Sequence, residues 1–240
     1  MQLLEKPSPN HDSRQNQPVD MLVMHYTDMR HCEDAVARLC DPEAKVSAHY
    51  VVTRDGIIYQ LVQESERAWH AGESFWRGHT NINARSIGIE ISNPGHSEGY
   101  EDFPPAQMAA VAELSLAILA RHPIPPQNVV GHSDVAFLRK QDPGERFDWQ
   151  SLARAGIGLF PEHARPVMGK ALAPGDKGTH VMRLQQSLAN WGYGLKVDGE
   201  YGEKTRLCVI AFQRHFRPAN LSGIWDNECA GLLAALHGMV

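Results

Sequence analysis

The run Ser86-Ile87-Gly88-Ile89-Glu90-Ile91 alternates with the two-residue period of a β-strand. That period places the three isoleucines on one face and Gly88 and Glu90 on the other. A carboxylate on a mostly buried strand is costly unless a partner or a function holds it; an ion pair with Arg85 is the plain structural alternative. Two further apolar runs carry a chemically able residue at their C-terminal ends. Met21-Leu22-Val23-Met24-His25-Tyr26 has the pattern of a buried strand closing near His25, and Val129-Val130-Gly131-His132 closes on His132. His132 leaves its strand as the chain turns into a loop, where a rigid scaffold presents reactive groups to solvent. Asp142 follows in that loop, and Pro143-Gly144 sets a turn behind it.

The rest of the chain supplies a mixed scaffold. Ser47–Val52 and Ile57–Gln60 read as a hairpin across Arg54-Asp55-Gly56. Asp34–Leu39 is weakly helical, and Glu66–Gly72 reads as a loop. Pro104 and Pro105 open a helix to about Arg121, with Met108, Val111, Ala112, Ser115, Ile118 and Leu119 on one stripe. Asp148 caps a helix from Trp149 to Ala155 that ends at Gly156. The expected fold is α+β: a mixed central β-sheet flanked by helices, followed by a small three-helix domain. Residues 1–18 read as an irregular arm, 19–162 as the main domain, 163–174 as a linker and 175–240 as the helical unit. In that unit Val181, Leu184, Leu188 and Trp191 form one stripe, Leu207, Ile210 and Phe216 mark a second helix, and Asp226 caps a third ending near Leu236. Residues 198–205 and 222–229 echo one another: a glycine turn, an aromatic, then a helix start.

Composition narrows the partners. A net charge of −5 over 240 residues argues against a general nucleic-acid binder. The most apolar stretch, Leu114–Ala120, is too short to span a bilayer, and no apolar run in residues 1–18 has the length of a signal-peptide core. A soluble monomer is expected. The four cysteines, Cys32, Cys40, Cys208 and Cys229, form no C-x-x-C pair and read as reduced thiols, with a Cys208–Cys229 bridge left open.

His25, His132 and Asp142 make a candidate metal triad, since three protein ligands plus an open position are the arrangement of catalytic zinc. Glu90 is a candidate general base near such a metal but not bound to it. Lys140 could face the oxyanion of a tetrahedral intermediate. The structural alternatives are satisfied polar histidines and a solvated surface lysine. The spacing by itself is not diagnostic, because no single helix sets the ligands side by side.

Taken together, these segments resemble a family. Leu22-Val23-Met24-His25-Tyr26-Thr27, Ser47-Ala48-His49-Tyr50, Ala68-Trp69-His70-Ala71-Gly72, Ser86–Glu90, Asn128–Asp134 and Arg139–Gly144 occur in the order of the type-2 N-acetylmuramoyl-L-alanine amidases, closest to their AmiD/AmpD-like branch. The resemblance spans roughly residues 19–160. It implies the type-2 amidase, or peptidoglycan-recognition-like, fold. It implies one zinc ion on His25, His132 and Asp142, Glu90 as acid/base and Lys140 as polarising group. The implied reaction is hydrolysis of the amide between the lactyl group of N-acetylmuramic acid, or its 1,6-anhydro form, and L-alanine of the stem peptide. Some relatives place a catalytic tyrosine just before the position of His49; here Ala48 stands there, consistent with proton transfer resting on Glu90 and His49 being structural. Leu172–Gln185, Asp198–Gly202 and Ala211-Phe212-Gln213 resemble the three-helix peptidoglycan-binding domain, in which Tyr201 or Trp225 could stack on sugars or lie in the core. The expected partners are peptidoglycan or muropeptides, and the expected place is the periplasm or cell envelope, with the cytoplasm as the alternative. A non-catalytic peptidoglycan-recognition protein and a zinc endopeptidase within the stem peptide are the competing readings.

Overall fold

Leu22, Met24, Ile87, Ile89, Ile91 and Val129 point to one side of a six-stranded sheet and are buried there against a long helix. The computed structural model describes residues 3–240. Its strands are β1 (Leu3–Glu5), β2 (His11–Ser13), β3 (Met21–Tyr26), β4 (Tyr50–Val52), β5 (Ile58–Gln60), β6 (Glu66–Ala68), β7 (Ser86–Ile91) and β8 (Val129–Gly131). Its helices are α1 (Cys32–Cys40), α2 (Ile82–Arg85), α3 (Gly95–Glu98), α4 (Pro105–Arg121), α5 (His132–Val135), α6 (Trp149–Arg154), α7 (Thr179–Trp191), α8 (Glu203–Phe216) and α9 (Asn227–His237).

The sheet runs β1-β5-β4-β7-β3-β8. β4, β7, β3 and β8 are mutually parallel, and β5 returns antiparallel beside β4, which makes the sheet mixed as expected. The long helix is α4, which closes the isoleucine face through Val111, Leu114 and Ile118. Asp148 caps α6 by accepting from the Ser151 N–H. Among the described residues no helix is long and apolar enough to cross a membrane.

Two expectations need correction. The arm is not irregular: β1 pairs with β5 at the sheet edge, and β2 pairs with β6 in a separate ribbon that takes in the start of the expected Glu66–Gly72 loop. The side chains of β1 and β2 are exposed, so these strands are held by backbone pairing and leave no apolar period in the sequence. Residues 1 and 2 of the arm lie outside the described residues. In α8, Leu207 and Ile210 are only half-buried, while Thr205, Cys208, Val209, Phe212 and Gln213 are buried. The helix is enclosed on several sides, because it packs on α5 of the first domain as well as on its own neighbours.

Tyr201 and Trp225 are core residues, so neither is available to stack on a sugar. All four cysteines are free thiols, with Cys208 and Cys229 buried and Cys32 and Cys40 half-buried. The residues expected as a linker lie along α9: the Val167 N–H donates to Asn227 O at 2.9 Å, and Leu172 bridges to Trp225.

The helical unit shares a core with the first domain, where Val23, Trp76, Val130 and Val135 meet Trp191, Tyr193 and Phe216. Its polar anchor is Asp134 on α5. The Tyr193 hydroxyl donates to Asp134 Oδ1 and His215 Nδ1 lies against Oδ2, each at 2.8 Å. His215 is stacked on Trp149, with ring centroids 3.9 Å apart. Removing either donor leaves the buried carboxylate one hydrogen bond short, a loss of about 1–3 kcal/mol. His215→Ala and Tyr193→Phe should each lower unfolding stability by that order, His215→Ala more because it also loses the stack. Unchanged denaturant midpoints would show the docking to be loose.

A second polar anchor ties α4 to the sheet. Tyr50 Oη (2.8 Å), Arg121 Nη2 (2.6 Å) and His122 Nε2 (2.8 Å) converge on Glu64. Burial raises the Glu64 pKa, but the hydrogen bonds from Arg121, His122 and Tyr50 outweigh it and bring it down to about 2. A depressed carboxylate contributes stability above its unfolded pKa and loses it as pH falls through the folded value. The stability gap between the wild type and Glu64→Gln should therefore be full at neutral pH and close between about pH 4.5 and about pH 2. Denaturant unfolding across that range checks it.

Candidate active site

The parallel register of β3 and β7 pairs His25 with Glu90, and that of β4 and β7 pairs Val51 with Glu90. Laterally paired residues share a sheet face, so Val51, Glu90 and His25 form one row near the C-terminal ends of their strands. His25 and His132 lie one residue beyond the last pair of β3 with β8, Met24 with Gly131. His132 thus opens a one-turn helix, α5, where the sequence suggested a loop. Asp134 Oδ2 accepts from the Gly131 N–H at 2.8 Å and closes that turn.

The chain from α5 doubles back to bring in Asp142. The Ser133 N–H donates to Asp142 O at 2.9 Å, and the Tyr100 hydroxyl donates to Pro143 O at 2.8 Å. Gly144 has φ +89°, and a Cβ there would lie 2.1 Å from Tyr100 Oη, so only glycine fits.

The three predicted ligands meet in the buried interior. His25 Nδ1, His132 Nδ1 and Asp142 Oδ2 are each 3.0 Å from the other two. His132 Nε2 donates to Ala71 O at 3.1 Å, which leaves its Nδ1 as a lone pair. Burial and the facing His132 push His25 down to about 4, so its neutral ring also offers a lone pair. Burial would raise the Asp142 carboxyl, but His132 and His25 hold it far below the usual carboxylate range. Two imidazole nitrogens and one carboxylate oxygen converging without a shared donor are a donor set for a borderline divalent cation.

Glu90 sits beside this cluster. Its Oε2 is sealed from solvent and has no hydrogen-bond partner among the described residues. Burial, and then the Asp142 charge, push its carboxyl well above the usual range, with Lys140 pulling the other way. The expected alternative partner, Arg85, is engaged elsewhere, with Asp20. Lys140 and Glu90 line the same cleft of about 490 Å³, together with Tyr26, Asp28, Trp69 and His96. All five residues expected at the site are therefore brought to one place.

His49 is fully buried behind it. Its Nδ1 accepts from the Gly88 N–H at 3.0 Å, and burial followed by the Arg14 charge pushes it down to about 3. Sequence reasoning gave no role to His70 or Asn83. His70 contacts His25, and Asn83 Oδ1 accepts from the backbone N–H groups of His70 and Ala71. The available signal was Gly88, a missing side chain on the Glu90 face.

Comparison with known proteins bears on the family and the fold. The N-acetylmuramoyl-L-alanine amidase family model matches residues 15–145, and the peptidoglycan binding domain model matches residues 177–233. The N-acetylmuramoyl-L-alanine amidase AmiD of Escherichia coli K12 is 40% identical over 230 residues, which cover 91% of this chain and 82% of that protein. The 1,6-anhydro-N-acetylmuramyl-L-alanine amidase AmpD of Haemophilus influenzae is 35% identical over 162 residues, 60% of this chain and 86% of that one. The solved complex of E. coli AmiD with anhydro-N-acetylmuramic acid-L-Ala-D-gamma-Glu-L-Lys matches with a TM-score of 0.81 at 38% identity, over 95% of this chain and 92% of that one. Pseudomonas aeruginosa AmpDh3 in complex with anhydromuramic pentapeptide matches with a TM-score of 0.76 at 30% identity, over 98% of this chain and 95% of that one.

Proposed function

The chain belongs to the N-acetylmuramoyl-L-alanine amidase family, and from that premise we propose that His25, His132 and Asp142 hold one zinc ion while Glu90 and Lys140 carry the amide hydrolysis. The activity itself is that of an N-acetylmuramoyl-L-alanine amidase. The bond cleaved joins the lactyl group of N-acetylmuramic acid to L-alanine of the stem peptide. The observation that carries the site assignment is the convergence of three metal-type donors beside a buried, unpartnered Glu90 oxygen at the wall of an open cleft.

Zinc bound by these residues would supply a Lewis acid for the scissile carbonyl and lower the pKa of water. Glu90 takes a proton from the attacking water as its oxygen bonds to the carbonyl carbon. The same carboxyl returns that proton to the alanine nitrogen as the C–N bond breaks. Its upward-shifted pKa favours holding the proton between the two steps. The Lys140 ammonium faces the negative charge that develops on the carbonyl oxygen.

A recognition-only protein would not need this donor set. Two relatives are solved with anhydromuramic peptides, which supports including 1,6-anhydro-muramyl peptides among the substrates. The peptidoglycan binding domain match supports action on cell-envelope material. Its contact with glycan would have to use surfaces other than Tyr201 and Trp225.

Glu90→Gln should lower kcat on a soluble muropeptide by about 10²–10⁴-fold while about one zinc per chain is retained. Metal analysis with single-turnover kinetics checks both; near-normal turnover would remove Glu90 from the mechanism. Lys140→Ala should lower kcat by about 10²–10³-fold, the usual loss for one oxyanion contact, with zinc content again unchanged. If its turnover matches the wild type, Lys140 is a surface lysine and the triad stands without it.

A further inference from the structure

Both histidines of the cluster are gripped from behind by one short segment, Trp69-His70-Ala71. His25 Nε2 lies 3.0 Å from His70 Nδ1, and His132 Nε2 lies 3.1 Å from Ala71 O. The direction of each bond follows from backbone carbonyls, which only accept. Ile82 O accepts from the Ser86 hydroxyl at 2.7 Å, which commits the one Ser86 proton. Ser86 Oγ must then accept from His70 Nε2–H at 3.1 Å. A neutral His70 keeps only a lone pair at Nδ1, so His25 Nε2–H donates into it. His25 is left with a bare Nδ1 aimed at Asp142 and His132. Ala71 O imposes the same tautomer on His132.

The segment is itself fixed. Asn83 Oδ1 accepts from the N–H groups of His70 (3.0 Å) and Ala71 (2.7 Å). Ser47 Oγ accepts from the Trp69 N–H at 2.8 Å, and Arg139 donates to Ala71 O. The His70 ring fills the space left open by Gly88, where a Cβ would lie 2.5 Å from His70 Cγ.

We propose that His70 is a positioning residue for the metal centre: the Ser86–His70 relay sets the tautomer and ring orientation of His25, and through them the zinc affinity. The proposal rests on the zinc reading of His25, His132 and Asp142. His70 is not itself a ligand, since both its nitrogens are committed. Groups that orient a ligating histidine through its other ring nitrogen typically carry about 10–100-fold in metal affinity.

The test measures zinc affinity of the full-length chain by competition with a chromophoric chelator, together with the absorption spectrum of the cobalt-substituted protein. His70→Leu removes the acceptor and should weaken zinc about 10–100-fold and shift the cobalt bands. His70→Asn, whose Oδ1 takes the place of Nδ1, should recover most of the affinity. Gly88→Ala keeps every relay residue but displaces the ring, and should resemble His70→Leu. Wild-type affinity in both His70→Leu and Gly88→Ala overturns the proposal, and Gly88→Ala alone decides if His70→Leu does not fold. Weakened zinc with unchanged metal-free stability supports it. A wild-type chain that takes up no zinc overturns the metal reading, and the proposal with it.

Discussion

The in-register pairing of His25 with Glu90 across β3 and β7 is the constraint on which the site depends. A slip of one residue would turn one of the two side chains to the isoleucine face, where α4 packs. Register is secured by that face: Leu22 and Met24 on β3, and Ile87, Ile89 and Ile91 on β7, are buried without alternative. Hydrophobic burial on one side of the sheet thus sets the chemistry on the other. Gly88 extends the logic, since its missing side chain makes room for His70 two residues behind Glu90.

The other half of the site depends on a loop and on a second domain. His132 stands at the head of α5, and α5 carries Asp134, whose carboxylate faces one backbone N–H and two side chains of the helical unit. The shared core makes the two domains one packing unit at this point. The H. influenzae AmpD match covers 60% of this chain, so the family also has members matching little beyond the first domain. In this chain the buried Asp134 carboxylate ties the metal-side turn to Tyr193 and His215, so the helical unit braces α5 in addition to any contact with the wall.

Much of this was legible in the sequence, for identifiable reasons. The strands β3, β7 and β8 are almost wholly buried, so they stand out as apolar or alternating runs, and each carries at or just past its end a residue that burial alone does not explain. The helices α4, α6 and α7 announce themselves by proline, by an aspartate cap or by an apolar stripe. The edge strands β1 and β2 were not legible, because backbone hydrogen bonds carry their pairing and the side chains are exposed. The helix α8 was legible from Leu207, Ile210 and Phe216, but its full burial was not, because the first domain covers Arg214 and His215 through Glu145 and Asp134. The role of His70, within Ala68–Gly72, was not legible, since its partners Ser86 and His25 are separated from it by 16 and 45 residues.

Three acids, Asp134 and Asp142 buried and Glu90 half-buried, show why residue type alone could not assign the roles. Asp134 has three donors around it and is a structural tie. Asp142 faces two imidazoles, which keep it ionised despite burial and make it a metal-type oxygen. Glu90 has an oxygen with no donor among the described residues, and burial beside the Asp142 charge pushes its carboxyl up. Leaving a buried polar atom unpaired costs about 1–3 kcal/mol. The number of donors that the fold delivers to each carboxylate separates the tie from the proposed ligand and the proposed proton carrier. That number depends on which strands, loops and domain meet at the site, and one-dimensional spacing does not contain it.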